Sequence, residues 1–149
     1  MTATGVRSLG FLAWLHLMRV YDKMQRHSMD HLTAFGLTPA QFDVLAQIDA
    51  NPGITQQALA EKLLVTKGNV CGLLDRLEAH GLVRRQIDPE DRRSNLLYLT
   101  DEGKKIGEAA FPAYEQFIRD HMQVLLPDEQ RDLLRLLRDL DNSLDAHHP

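Results

Sequence analysis

The stretch from Thr55 to Thr100, TQQALAEKLLVTKGNVCGLLDRLEAHGLVRRQIDPEDRRSNLLYLT, carries its own stop signals, and they leave few folds open. Thr55 reads as a helix N-cap, followed by Ala58, Leu59 and Leu63 at helical spacing. Leu64 and Val65 make a brief apolar turn. Thr66 then caps a second helix by accepting from a free backbone N–H of its first turn. Val70, Leu73, Leu74 and Leu77 stand at i, i+3, i+4 and i+7, a single core-facing stripe. His80-Gly81 ends that helix, with the glycine suited to a left-handed position. Two strand-like runs, LVRRQI and NLLYLT, flank Asp88-Pro89-Glu90-Asp91-Arg92-Arg93-Ser94, where Asp-Pro opens a turn. The order is helix, turn, helix, then a hairpin with a basic tip.

The side chains left outside the stripe point to nucleic acid. Lys67, Gly68 and Asn69 occupy the first turn of the second helix, and Arg76 lies two turns on. A lysine can reach phosphate or guanine acceptors, an asparagine can pair bidentately with adenine, and a glycine permits close approach in the major groove. Adjacent arginines at a hairpin tip, Arg92 and Arg93, suit a narrow, electronegative minor groove. The plainer alternative is a helix pair that only packs, with a solvated loop beside it.

The phrases LTPAQFDVLAQI, TQQALAEKL, TKGNVCGLLDRLEAHGLVRR, DPEDRRSNLLYLT and DEGKK, in that order over about residues 37–105, resemble the MarR family (multiple antibiotic resistance regulators). The resemblance implies a winged helix–turn–helix in a dimeric DNA-binding regulator, often a repressor released by a small aromatic acid or an oxidant. It also implies that Asp91 braces Arg93 in the wing, after the family's Asp-x-Arg pattern.

Net charge is −4, which at first argues against DNA. From Thr55 to Thr100, however, seven Lys/Arg face six Asp/Glu, while the remainder holds ten against fifteen. A locally positive face suffices for binding, and acid elsewhere limits non-specific adhesion. So thin a surplus calls for two wings. With 149 residues and 44% apolar content, one domain is expected. The apolar run Leu9–Tyr21 is broken by His16 and Arg19 and is too short for a membrane span, and no leader pattern precedes it. A single cysteine points to a reducing cytoplasm.

Residues 6–35 and 101–146 flank the winged part, 37–100. The first helix, 6–32, carries Leu9, Leu12, His16, Val20 and Met24 on one face and Phe11, Trp14, Leu15, Leu17, Met18 and Tyr21 over the others. A second subunit is the easiest source of burial for such a helix. His27 and His31 at i, i+4 read as a solvated pair rather than a metal site. Gly36 closes the helix. Thr38, Pro39 and Gln41 open the next one with a capping box, its core face Phe42, Leu45, Ala46 and Ile48, and Asp43 faces solvent. Thr100 caps a long helix in which Pro112 predicts a kink or break near Ala109. Pro127 opens the last helix, where Leu133, Leu137, Leu140 and Leu144 are spaced 4-3-4. Burying those four leucines is worth roughly 6–12 kcal/mol before entropy costs, so with Leu9 and Leu12 they are expected to form a dimer base. Ala146 and the residues after it are expected to fray.

No phosphate-binding glycine loop, HExxH pair or GxSxG elbow is present, so no enzyme, cofactor or metal site is expected. The expectation is mainly α with a small β-hairpin wing: a dimer on a pseudo-palindromic double-stranded operator, with Gln56 and Gln57 supporting Thr66, Lys67 and Asn69 at the bases. Arg76 favours phosphate. By resemblance, an effector pocket for a phenolic carboxylate would draw on Trp14, His16, Arg19, Tyr21 and Tyr114. Two alternatives stay open. Cys71 on the second helix could make the regulator redox-responsive, and the winged part could serve protein–protein docking.

Overall fold

Hydroxyl caps set most helix starts in the structure, a computed structural model that describes residues 7–146. Helix α1 (Leu9–Thr33) begins where the Ser8 hydroxyl accepts from Phe11 N–H at 3.2 Å. Helix α2 (Pro39–Ala50) has the expected reciprocal box: Gln41 N–H donates to the Thr38 hydroxyl, and Thr38 N–H donates to Gln41 Oε1. Thr55 caps α3 (Gln56–Leu63), Thr66 caps α4 (Lys67–Ala79) and Thr100 caps α5 (Asp101–Met122), each accepting from the N–H three residues on. Helix α6 (Pro127–Ala146) has its proline at N1 and its Glu129 carboxylate on Leu126 N–H. Gly36 and Gly81 take φ of 70° and 72° and close α1 and α4 with paired backward bonds, Leu82 N–H to Leu77 O among them. Val6 and His147–Pro149, which the expected first helix and the expected frayed end include, lie outside the described residues.

The residues divide into two units between Phe111 and Pro112. In the first, the stripe of α4 is fully interior: Val70 and Leu74 are inaccessible, and Leu73 and Leu77 nearly so. Around it lie Phe42, Val44, Leu45 and Ile48 of α2, Leu59 of α3, and Val83, Leu97 and Leu99 of the sheet. Val44 takes the place expected of Ala46, which is only half buried. The sheet pairs β2 (Val83–Ile87) antiparallel with β3 (Asn95–Leu99), Val83 opposite Leu99. A third strand, β1 (Ile54–Thr55), joins the other edge of β3, with Ile54 opposite Leu97, so the order is β1-β3-β2. Two residues are too few to show an alternation, and the sequence reading has only the hairpin.

In the second unit, Gln130 Nε2 donates to the Met122 and Leu125 carbonyls and so satisfies the exposed end of α5. Of the kink or break expected near Ala109, the break does not occur, since α5 runs through Pro112 as one helix. A proline forfeits one hydrogen bond, and a long helix retains the bonds on either side. The histidine pair also differs from expectation: His31 is half buried, its ring 5.9 Å from Phe35.

Helix α5 starts against the end of α4 by way of a glycine. A Cβ at Gly103 would stand 2.1 Å from the Leu82 carbonyl oxygen, a main-chain atom that also accepts from Thr100 N–H. Gly103→Ala is therefore expected to destabilise by about 1–3 kcal/mol and lower Tm by several degrees; an unchanged melt would contradict this packing. Asp43 is exposed as a residue, yet partial burial of its carboxyl raises its pKa from the ordinary 3.8. The folded state thus holds that proton more tightly than the unfolded chain. The stability so gained is full below pH 3.8 and is lost as pH rises through the raised value. Asp43→Asn should raise Tm at pH 7 and have no effect near pH 3, as paired melts would show.

Candidate nucleic-acid interface

Because the stripe of α4 faces inward, its first turn emerges beside the start of α3 and the wing. Gln56 and Gln57 of α3, Lys67 of α4, and Asp91, Arg93, Ser94 and Asn95 of the wing line one cleft of about 510 Å³. Four of the expected DNA-contact residues and the expected wing support are thereby brought together. Thr66, Gly68, Asn69, Arg76 and Arg92 are exposed but stand outside the cleft lining. A Cβ at Gly68 would meet nothing within 4 Å beyond its own stretch of helix, so the fold leaves open space there for a partner to approach.

The cationic side chains here are largely uncommitted. Lys67, Arg92, Arg93 and the Asn69 amide make no side-chain hydrogen bond or ion pair among the described residues. Arg76 gives its Nε–H to its own helix at Gly72 O and makes no ion pair among the described residues. The Thr66 hydroxyl accepts from Asn69 N–H as a cap and keeps its proton to donate. The wing loop is held by its aspartates: Asp88 Oδ1 accepts from Glu90 N–H at 2.9 Å, and Asp91 Oδ1 accepts from Arg93 N–H at 3.1 Å. Asp91 thus braces the main chain of Arg93, and the guanidinium stays free.

Sequence reasoning overlooked Arg84 and Arg85. The Arg84 guanidinium lies 4.5 Å over the Tyr98 ring. Arg85 turns back toward α4 and pairs with Asp75 and, at 3.6 Å, with Glu78. The signal was present in the alternation of β2, because Val83 is buried and Arg85, two residues on, shares its face.

The candidate effector residues of α1 fall on two sides of that helix. At 100° per residue, Trp14 and Tyr21 share a face of α1, whereas His16 and Arg19 point nearly opposite. All four are exposed. Tyr114, in the second unit, stacks on Phe117 at 5.6 Å. Cys71 is half buried on α4. Among the described residues no cluster of three metal-ligating side chains is found, and no helix is long and apolar enough to cross a membrane.

The chain is similar in sequence and fold to known proteins. The sequence model of the MarR family matches residues 35–94. An HTH-type transcriptional regulator of Bacillus cereus is 35% identical over 127 residues, 85% of this chain and 84% of that one. The chain belongs to the MarR family. The transcriptional regulator HosA of Escherichia coli O111:H- is 38% identical over 107 residues, 72% of this chain and 79% of its own. Among solved structures, the transcriptional repressor CouR bound to a 23-mer DNA duplex superposes with a TM-score of 0.78 at 35% identity, covering 90% of this chain and 92% of that one. This MarR-family chain is a DNA-binding transcriptional regulator with a winged-helix fold, and the family's members are not enzymes.

Proposed function

We propose that the protein binds a pseudo-palindromic operator as a homodimer and represses transcription, with release by a small aromatic or phenolic acid. The observation that carries the DNA face is the cleft shared by Gln56, Gln57, Lys67 and Arg93. In this reading Thr66, Lys67 and Asn69 meet base edges, Gln56 and Gln57 support them, Arg76 takes phosphate, and Arg92 and Arg93 enter the minor groove. Residues 37–100 form the DNA-binding part.

Residues 6–35 and 101–146 form the dimer base. Its support is apolar surface that the single chain leaves open. In the first unit Leu9 is 85% exposed and Leu12 38%; in the second Leu140 is 46% exposed and Leu144 55%, with Leu137 also exposed and Leu133 half buried. Each helix thus leaves apolar surface for a partner to cover. CouR, to which this chain is similar, is a transcriptional repressor. For the effector, the support is open aromatic surface: Trp14 and Tyr21 offer a stacking face on α1 and Tyr114 another on α5, while His16 and Arg19 offer cations on the opposite side of α1.

The reading is tested by affinity across a salt series. Arg93→Ala should weaken binding to every duplex and reduce the slope of log affinity against log salt by about 1. Asn69→Ala should instead relax preference at one base pair by about 1–3 kcal/mol. An unchanged slope for Arg93→Ala would remove the wing from the interface. Leu140→Glu should convert the dimer to monomer in sedimentation and weaken operator binding with it; a monomeric wild type would end the two-copy reading.

A further inference from the structure

We propose that Arg85 is a positioning residue for DNA recognition. By bridging Asp75 and Glu78 it locks the wing to α4, so that the cleft residues of both elements meet one duplex together. The inference rests on the DNA-face reading above.

In the sequence Arg85 looks like one more wing cation, adjacent to Arg84. The geometry gives it a different task. It shares the inward face of β2 with Val83, which is 2% exposed, and its own side chain is 19% exposed. Its guanidinium bonds the Asp75 carboxylate and lies within 3.6 Å of Glu78. Those two acids are three residues apart on α4 and share a face. One cation between two carboxylates leaves no positive field for phosphate. What remains is direction: a planar guanidinium that hydrogen-bonds Asp75 and turns its Nε, without a hydrogen bond, toward Glu78 at 3.6 Å is oriented in a way a rotating ammonium would not be.

Its place along the strand explains why an angle matters here. Val83 and Leu99 are buried, as is Leu97 opposite Arg85, but beyond Arg85 the strand opens to water: Gln86 is exposed and Ile87 is 63% exposed. Arg85 is thus the outermost hold of β2 on α4 before the tip that carries Arg93. The acids it joins are themselves 64% and 48% exposed, so they remain hydrated when the arginine is removed. Loss of the bridge should loosen the wing without unfolding the unit.

The test uses the full chain and two duplexes: one enriched by the wild type from a random-sequence library, and a scrambled duplex of the same composition. Arg85→Ala, Arg85→Lys, and the pair Asp75→Asn with Glu78→Gln should each lower the enriched-to-scrambled affinity ratio by about tenfold, the scale of one base pair's discrimination. Arg85→Ala should leave the salt slope on scrambled DNA at its wild-type value. Two results would overturn the proposal. A slope reduced by about 1 in Arg85→Ala, with tighter binding of the enriched duplex by the amide pair, would make Arg85 a phosphate contact. A lower Tm with an unchanged affinity ratio would make the bridge merely structural. Failure of the wild type to enrich any sequence would remove the DNA-face reading, and this inference with it.

Discussion

Burial of Val70, Leu73, Leu74 and Leu77 can be satisfied only when α4 turns its other side to water, and the rest of the DNA-facing unit follows from that burial. The inward stripe meets α2, α3 and the sheet. The outward side then begins with Lys67, Gly68 and Asn69 at the free end of the helix, where uncompensated N–H groups and a positive dipole already favour anions. The cap at Thr66 fixes where that turn starts, and the left-handed Gly81 fixes where the helix stops and β2 departs. The same hydrophobic face that closes the core therefore aims the recognition surface.

Charge is distributed to the same end. An acidic chain can still present a locally positive face. Among the described residues Lys67, Arg92 and Arg93 make no side-chain hydrogen bond or ion pair, and Arg76 engages only its Nε–H, on Gly72 O. Arg84, by contrast, lies over Tyr98, and Arg85 pairs with Asp75 and Glu78. In the proposed reading, Lys67, Arg76, Arg92 and Arg93 are the charged groups that meet DNA. So few cations suit modest affinity per copy, and they make a two-fold arrangement the natural way to reach operator-scale binding.

Much of this was legible because local rules and the global fold agree. Caps at Thr38, Thr55, Thr66 and Thr100, the stripe of α4 and the glycine stops are all short-range features, and each appears where spacing placed it. The misses are contacts between distant segments or features too short for a period. Strand β1 is two residues long and exists only because β3 offers an open edge. The need for glycine at position 103 arises from a carbonyl twenty-one residues earlier, at Leu82. The Arg85 bridge joins β2 to α4, and a tally of charges counts that arginine without showing that it is paired. Pro112 shows the converse: a strong local breaker is absorbed by a long helix. For the effector residues on α1, helical angles place Trp14 and Tyr21 on one side and His16 and Arg19 on the other, a separation that grouping by chemistry does not show.

A hydroxyl-radical footprint of the wild-type protein on a duplex it selects tests the central claim most directly, that two copies of α4 and its wing grip one DNA. The account predicts two symmetric protected patches about 34–36 Å apart, with minor-groove protection outside each. A single patch, or uniform protection with no symmetry, would contradict it.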